Sequence, residues 1–438
     1  MDIKLRPHDD HTNGWSAILP PRRPHATLRQ LINADWLIIG AGYAGLAAAR
    51  RLAHNRPDDK IVVLEAGEAG DNASGRNSGF AIDVPHNVGS STAELEKAAN
   101  YKRLMKAGIA YLDGIVNEHQ IKCDWSVKGK YHCAAAPHLA DTLLKQHAHE
   151  LETLGEPYEW LEQAQLRARL GTSFFHAGIY TPGCILLNPS ALTRGLADSL
   201  PQNVLIFENS AVTNLEYGKL ILASTAHGSV SARKLILANN GSASQLPGFE
   251  RQMFNVASYG SLTRPLTPEQ RSRLGDIEEW GVTPANAVSG ATMRYTQDHR
   301  ILIRQQFDFT PNLQVTESVR SRVREQHRDV FLARFPELYD VSMDHFWMGF
   351  FSITRNGAPC WGKIDKNVYA AVGCNGVGIA KQTIAGLTLA DLACGVENSL
   401  IDDMLELGKP EKLPPRPFLD IGVKAYLAKE RWVGRQEY

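Results

Sequence analysis

Two glycine-rich turns, placed near opposite ends of a 438-residue chain, constrain its fold more than any other feature. Residues 35–52, DWLIIGAGYAGLAAARRL, open with a mostly apolar run, Asp35–Ile39, of the kind that forms a parallel strand buried on both faces. The turn Gly40-Ala41-Gly42-Tyr43-Ala44-Gly45 follows, and then a run of strong helix formers. Residues 372–387, VGCNGVGIAKQTIAGL, repeat the order of strand, glycine turn and helix. Taken alone, the second stretch reads equally well as an ordinary α/β turn. Two such units from the two ends of the chain predict one α/β layer that is discontinuous in sequence.

The first turn has the spacing G-x-G-x-x-G. Gly40 permits the tight turn, Gly42 lets backbone approach a pyrophosphate, and Gly45 lets the helix pack closely on the strand. The free N–H groups at Tyr43 and Ala44 and the positive end of the helix dipole then face the phosphates. Lys60–Leu64, KIVVL, reads as a second strand, and it ends in Glu65, 20 residues past Gly45. A carboxylate there can accept hydrogen bonds from both ribose hydroxyls and repels a 2′-phosphate, so NADP is disfavoured. NAD and FAD both remain open at this point.

Residues 66–80, AGEAGDNASGRNSGF, are small, polar and glycine-rich, and do not return directly to a third strand. An NAD domain would continue its strand–helix alternation here, whereas bare backbone suits a longer cofactor with a ribityl chain and ring. A mobile surface loop has the same composition.

The stretch Gly40-Ala41-Gly42 through Glu65-Ala66, with Ala73-Ser74-Gly75-Arg76-Asn77-Ser78-Gly79, resembles the D-amino-acid-oxidase-like FAD-dependent oxidoreductases. That superfamily includes glycine oxidase, sarcosine oxidase and γ-glutamylputrescine oxidase types. The segments ASGRN (73–77) and NGWSAILPP (13–21) most resemble the last branch. The resemblance implies that Ala66 and Ala73 to Gly79 border the cofactor, with Ser74, Gly75, Arg76, Asn77 and Ser78 along the flavin. It makes Gly373, Asn375, Gly376, Val377, Gly378 and Ile379 the turn at the flavin's pyrimidine edge. It implies backbone contacts from Val212 to adenine, and it places Asn239, Asn240 and Gly241 at the mouth of a strand leading to the dinucleotide. Physical chemistry agrees at the second turn. Negative charge develops at flavin N1 and O2 on reduction, and the N–H groups of Gly376 to Ile379 with their helix dipole stabilise it.

The implied fold is α/β: a Rossmann-like FAD-binding domain, discontinuous in sequence, with an antiparallel-sheet α+β substrate domain. The FAD domain is expected at 30–117, 181–250 and 351–398, and the substrate domain at 118–180 and 251–350. Residues 1–29 form an N-terminal arm, and 399–438 a Pro- and charge-rich tail expected to wrap the surface. Within this frame 91–120, 137–154 and 314–334 read as helices, 210–216 and 341–353 as strands, and 123–136 as a hairpin turning at Lys128-Gly129. His86 reads as a surface or capping residue.

The implied function is FAD-dependent oxidation of a primary or secondary amine, or an amino acid, by hydride transfer to flavin N5. The resulting imine hydrolyses, and oxygen or another acceptor takes the electrons. A 2-hydroxy-acid dehydrogenase on the same fold, or a flavin-binding subunit passing an intermediate to a partner, remains open. The FAD is expected to be non-covalent, because no cysteine stands just before Ser352. The substrate wall is expected at Arg294, Tyr259 and Phe351. Each has a plainer reading, Arg294 as an ion pair and the aromatics as core. Phe351 stands where glycine-oxidase-like relatives carry a carboxylate-binding arginine, so simple α-amino acids are expected to be poor substrates. A larger amine, with a remote acidic or amide group reaching Arg294, is favoured; alternatively Arg294 takes the α-carboxylate itself. Relatives often have glycines where Arg304-Gln305-Gln306 stand, which leaves the local pocket shape open.

Composition sets the outer limits. Forty-seven basic and 47 acidic residues cancel, so bulk charge offers nothing to nucleic acid or to an anionic surface. The six cysteines form no C-x-x-C pair and suggest buried free thiols in a reducing cytoplasm. No metal cluster is expected among the 15 histidines. The first 30 residues lack an apolar signal core, and no apolar run reaches membrane-spanning length.

Overall fold

The computed structural model describes residues 1–8, 10–84, 98–275 and 277–437. Its strands fall into two eight-stranded sheets and one two-stranded pair. The first sheet runs in the order Cys360–Asp365, Val368–Val372, Ser229–Leu237, Leu31–Ile39, Ile61–Leu64, Val204–Phe207, and Ile221–Ser224 followed by Asn214–Glu216 branches antiparallel from Ser229–Leu237. The five strands from Val368–Val372 onward are parallel, and Cys360–Asp365 closes the edge antiparallel. Trp36–Ile39 lies between parallel partners on both sides and is buried, as its continuous apolar character requires.

Parallel direction puts the carboxyl ends of Leu31–Ile39, Ser229–Leu237 and Val368–Val372 on one edge. Both glycine turns therefore emerge side by side, with the turn after Leu237 between them. The helices that follow the two turns, Tyr43–Asn55 and Ile379–Cys394, pack against each other in one core with Ala98–Glu118. Gly386 permits this contact, since a Cβ there would run into the backbone of Ala44.

The second sheet runs Met343–Ile353, Phe254–Thr263, Ile301–Phe309, Thr292–Tyr295, Trp280–Pro284, Lys130–Ala134, Ala177–Thr181, Glu159–Glu162. It is antiparallel except where Trp280–Pro284 runs parallel to Lys130–Ala134. Helix Glu317–Arg334 packs beneath it.

Several expectations need correction. Residues 123–136 are not a hairpin: Lys130–Ala134 pairs with Ala177–Thr181 and Trp280–Pro284, and Ser126 bridges to Leu186 instead. The non-local apolar partners outweigh the local turn. Of 210–216 only Asn214–Glu216 is strand. The expected helix over 91–120 is seen as Ala98–Glu118; its start and His86 lie outside the described residues. The tail carries helices Leu400–Glu406 and Phe418–Val433, which the sequence reading did not include. All six cysteines are free. Among the described residues no helix is long and apolar enough to cross a membrane.

Candidate active site

The first turn is built tightly. A Cβ on Gly45 would collide with the Gly40 carbonyl, and Gly40 itself has φ +106°, so neither position accepts a side chain without strain. Gly42 starts helix Tyr43–Asn55, and its neighbour Tyr43 donates its N–H to Ser74 Oγ at 3.2 Å. Glu65 is buried at the end of its strand. It accepts from the N–H of Ala41 at 2.8 Å and of Gly67 at 3.1 Å, leaving acceptor capacity for a further donor. Burial pushes its carboxyl up from the ordinary value, opposed by those backbone donors.

Residues 73–79 form a short helix, Ala73–Arg76, and a turn clamped from several sides. Asn77 donates to Ser74 O at 2.7 Å. The N-terminal arm holds this segment: Asn13 donates to Gly70 O at 3.0 Å, Trp15 to Asn77 O at 2.8 Å, and Asp10 pairs with Arg76 at 2.8 Å. Arg294 closes it from behind. Its Nη1 donates to the carbonyls of Leu187 at 2.5 Å and Gly79 at 3.1 Å, and its Nη2 pairs with Glu279 at 3.0 Å. Gly79 and Gly75 sit where a Cβ would meet neighbouring backbone.

In the second turn Gly373 and Asn375 take left-handed backbone, φ +80° and +52°. Asn375 can do so because its side chain serves the turn, accepting from Thr354 N at 2.8 Å and donating to Gly357 O at 2.8 Å. Gly378 then starts helix Ile379–Cys394 with no side-chain cap, so its first N–H groups stay open.

Two adjoining cavities lie along these turns. The first is bordered by Gly42, Tyr43, Ala44, Ala73, Ser74, Arg76, Asn77 and Ser78 on one side and Gly376, Val377, Gly378 and Ile379 on another. Tyr259, Phe350, Phe351, Phe307 and Arg304 form its wall toward the second sheet. The second cavity is bordered by Gly40, Gly42, Glu65, Ala66, Ala73, Ser74, Val212, Asn239 and Gly241. The two share Gly42, Ala73, Ser74, Ala238, Asn240 and Phe350. Gly45, Gly75, Gly79, Gly373 and Asn375 border neither and shape the turns from behind; Arg294 also borders neither.

This geometry fits a flavin dinucleotide. Two helix N-termini open onto one elongated space, Glu65 stands at its far end, and the buried Asn239 Oδ1 has no protein partner among the described residues. The ring end would rest against Gly376 to Ile379, beside the aromatic wall. Cys374 also borders the first cavity, and burial raises its thiol above the ordinary value.

Sequence reasoning did not place Arg304 on the cavity wall. The pairing of Phe254–Thr263 with Ile301–Phe309 slips between Ser258 and Tyr259: Ser258 faces Phe307, while Tyr259 faces Gln305. Gln306 is the extra residue, with φ +66°. A bulge of this kind shifts strand alternation by one. Arg304 and Phe307, three apart, thereby reach the same cavity, and the guanidinium rests 4.7 Å from the Phe307 ring centroid. No acid is among the described residues bordering this cavity. Arg76 has its partner in Asp10, whereas Arg304 Nη1 is enclosed without a hydrogen-bond partner. Burial alone pushes the Arg304 guanidinium down to about 10. The sequence signal was a lone arginine closing the apolar run Ile301-Leu302-Ile303.

The family described as "DAO: FAD dependent oxidoreductase" matches residues 35–392. The chain is 27% identical over 384 residues to the probable oxidoreductase OrdL of Haemophilus influenzae, covering 85% of this chain and 86% of that protein. It is 26% identical over 396 residues to the gamma-glutamylputrescine oxidoreductase of Escherichia coli, covering 88% and 90%. Among solved structures, glycine oxidase from Geobacillus kaustophilus superposes with a TM-score of 0.69 at 20% identity, over 84% of this chain and 96% of that one. At that identity the likeness speaks for the fold alone.

Proposed function

Because the chain belongs to the DAO family of FAD-dependent oxidoreductases, we propose that it oxidises a primary or secondary amine that also carries a carboxylate. The observation that carries this reading is the unpaired guanidinium of Arg304 in a cavity whose described border holds no acid. A planar guanidinium offers parallel N–H bonds to a carboxylate, and such bonds gain strength away from water. Simple α-amino acids, expected to be poor because Phe351 replaces a binding arginine, become candidates again through a strand on the other side of the wall. The compounds for which two of the relatives are named, glycine and γ-glutamylputrescine, both join an amine to a carboxylate.

Bound FAD supplies the hydride acceptor, and the protein supplies placement and environment. Arg304 anchors the carboxylate, and Phe307, Phe351 and Tyr259 shield the reacting carbon from water. An ammonium here would meet a cation and no acid, so desolvation and repulsion both favour the neutral amine. Its Cα–H leaves as hydride with two electrons, the N–H proton passes to solvent, and water hydrolyses the imine. The N–H groups that start helix Ile379–Cys394, which no side chain caps, would face the ring end of a bound FAD and would stabilise the charge it gains on reduction. The proposal includes the division expected from sequence, with 30–117, 181–250 and 351–398 holding cofactor and 118–180 and 251–350 holding substrate. It also includes a non-covalent FAD, which acid precipitation leaves in the supernatant.

Anaerobic mixing tests it. Flavin absorbance should bleach with a carboxylated amine and not with the same amine lacking its carboxylate. Bleaching by the bare amine, or by a 2-hydroxy acid in place of every amine, overturns the reading.

A further inference from the structure

Helix Phe418–Val433 is oriented against the usual rule for a surface helix. Its inner side is polar: Arg431 donates to Phe307 O at 2.6 Å and Asp308 Oδ1 at 2.9 Å, and Glu430 accepts from Asn286 at 3.2 Å. Leu427 is its one buried side chain. Its outer side is apolar. Phe418 and Trp432 are each 68% exposed, Ile421 63% and Tyr426 47%. At 100° per residue these four, with Ala425 and Val433, fall within an arc of about 140°. Of the 12 large hydrophobic residues exposed among those described, five lie on this one helix. Scattered exposed apolar residues need no explanation, but one continuous stripe marks a surface meant to be covered.

Charge indicates what covers it. Lys429 sits in the middle of the stripe, with Lys424 about 60° outside its edge and Arg435 just past the helix end, all exposed. Lys429 has no ion-pair partner among the described residues, and Lys424 acts on Asp420 without a direct contact. The helix's two acids point elsewhere: Asp420 is bound to Arg416, and Glu430 faces Asn286. A twofold contact with a second copy would set Lys429 against Lys429 with no carboxylate between them. A bilayer surface has no such conflict. Aromatic rings settle at the headgroup boundary, and lysine stems reach along the apolar surface to anionic phosphates.

We propose that this helix is a docking face for an anionic lipid bilayer, on which the enzyme lies as a peripheral protein. The chain's zero net charge does not oppose this, because the exposed cations near the stripe act within a Debye length of the surface. The seat of the helix adjoins the active site, since Asp308 also accepts from the cavity-wall Tyr259 at 2.8 Å.

Co-sedimentation of the FAD-loaded protein tests it, using vesicles of phosphatidylcholine alone and of phosphatidylcholine with phosphatidylglycerol. Flavin absorbance locates the protein. It should pellet with the anionic vesicles and return to solution as salt rises. Lys424→Gln and Lys429→Gln should each weaken the partition about fivefold, and Phe418→Ser with Trp432→Ser by tenfold or more. Retained flavin absorbance and unfolding temperature show that the variants are folded. Failure to pellet with either vesicle, or equal partition by all variants, overturns the proposal. A dimer that the Trp432→Ser variant splits, with vesicles ignored, also overturns it and gives the face to a second copy.

Discussion

Arg294 and Arg304 lie on paired strands, where Arg304 stands opposite Thr292 and Arg294 opposite Leu302. Arg294 is buried and Arg304 half-buried at the cavity wall, and their surroundings are opposite. Arg294 is 1% exposed, with Glu279 and three backbone carbonyls around it and the Trp15 ring at 5.4 Å. Arg304 has an aromatic ring, a neutral histidine nearby and open space. The difference separates two uses of one side chain. A buried cation that the protein has neutralised holds structure, here the segment that would face the flavin. A buried cation left unneutralised costs stability until a ligand supplies the missing charge. Arginine content and strand position do not distinguish them; the partners do.

The largest effect is expected at the paired site. Arg294→Ala leaves Glu279 buried and alone and frees the carbonyls of Gly79 and Leu187. Breaking such a pair costs about 3–5 kcal/mol, so the unfolding temperature and FAD retention should both fall. Arg294→Met combined with Glu279→Leu should recover most of the loss. KM of the holoenzyme that survives should stay near the parent value. A large KM rise with unchanged stability would show that Arg294 does reach substrate.

Arg304→Gln should behave in the reverse way. Loss of a charge-assisted contact to carboxylate is worth about 3 kcal/mol, roughly a hundredfold in kcat/KM, most of it in KM. The unfolding temperature should hold or rise, because an unpaired buried charge has been removed. A destabilised variant with normal KM would make Arg304 structural and undo the contrast.

Legibility in the sequence followed the backbone. The two glycine turns were readable because strand, turn and helix impose residue types at fixed spacing, and Gly40, Gly45 and Glu65 stand where that reading puts them. Arg304 was not readable as a cavity residue. Strict alternation pairs Arg304 with Gln306 and turns Phe307 away, and only the bulge at Gln306 brings Arg304 and Phe307 together. Arg294 was visible as a residue, but its partners come from distant segments around Glu279 and Leu187. The C-terminal helix was hidden for another reason. Prolines at 410, 414, 415 and 417 and the charges among them colour the whole tail, and its helix keeps its apolar side outward, so composition suggested a wrap.

A smaller effect comes from the neutral neighbour of Arg304. His327 is fully buried, with Nδ1 2.8 Å from Ser261 Oγ and no partner for Nε2 among the described residues. Burial lowers its pKa to about 4, and the charge of Arg304 adds to the shift. The unfolded chain takes up this proton near pH 6.5 and the folded chain does not. Stability from this residue is therefore full above about pH 6.5 and is lost as pH falls toward 4. The loss reaches about 2 kcal/mol at pH 5. His327→Gln should flatten that slope in thermal unfolding between pH 7 and 5, and Arg304→Gln should ease it by removing the repulsion. An unchanged slope in His327→Gln would place the acid sensitivity elsewhere.

The smallest effect is expected at Tyr259, which borders the same cavity but has its polar atom committed. Its hydroxyl donates to Asp308 Oδ2 at 2.8 Å, and the same carboxylate accepts from Gln306 at 2.7 Å and Arg431 at 2.9 Å. Burial, with the Asp308 charge adding to it, pushes the phenol well above its ordinary pKa, so it neither serves as a base nor turns a free donor toward substrate. Tyr259→Phe keeps the ring as cavity wall and removes one of three donors to Asp308, which Arg431 still neutralises. Such a loss is worth about 1 kcal/mol or less, so kcat/KM should fall by no more than about fivefold. Steady-state kinetics on the best carboxylated amine would measure it. A fall of a hundredfold in kcat would mean that the hydroxyl leaves Asp308 for the substrate. Arg304 would then no longer be the charged group that alone answers the substrate from that wall, and the contrast between neutralised and free charges would fail where it is now sharpest.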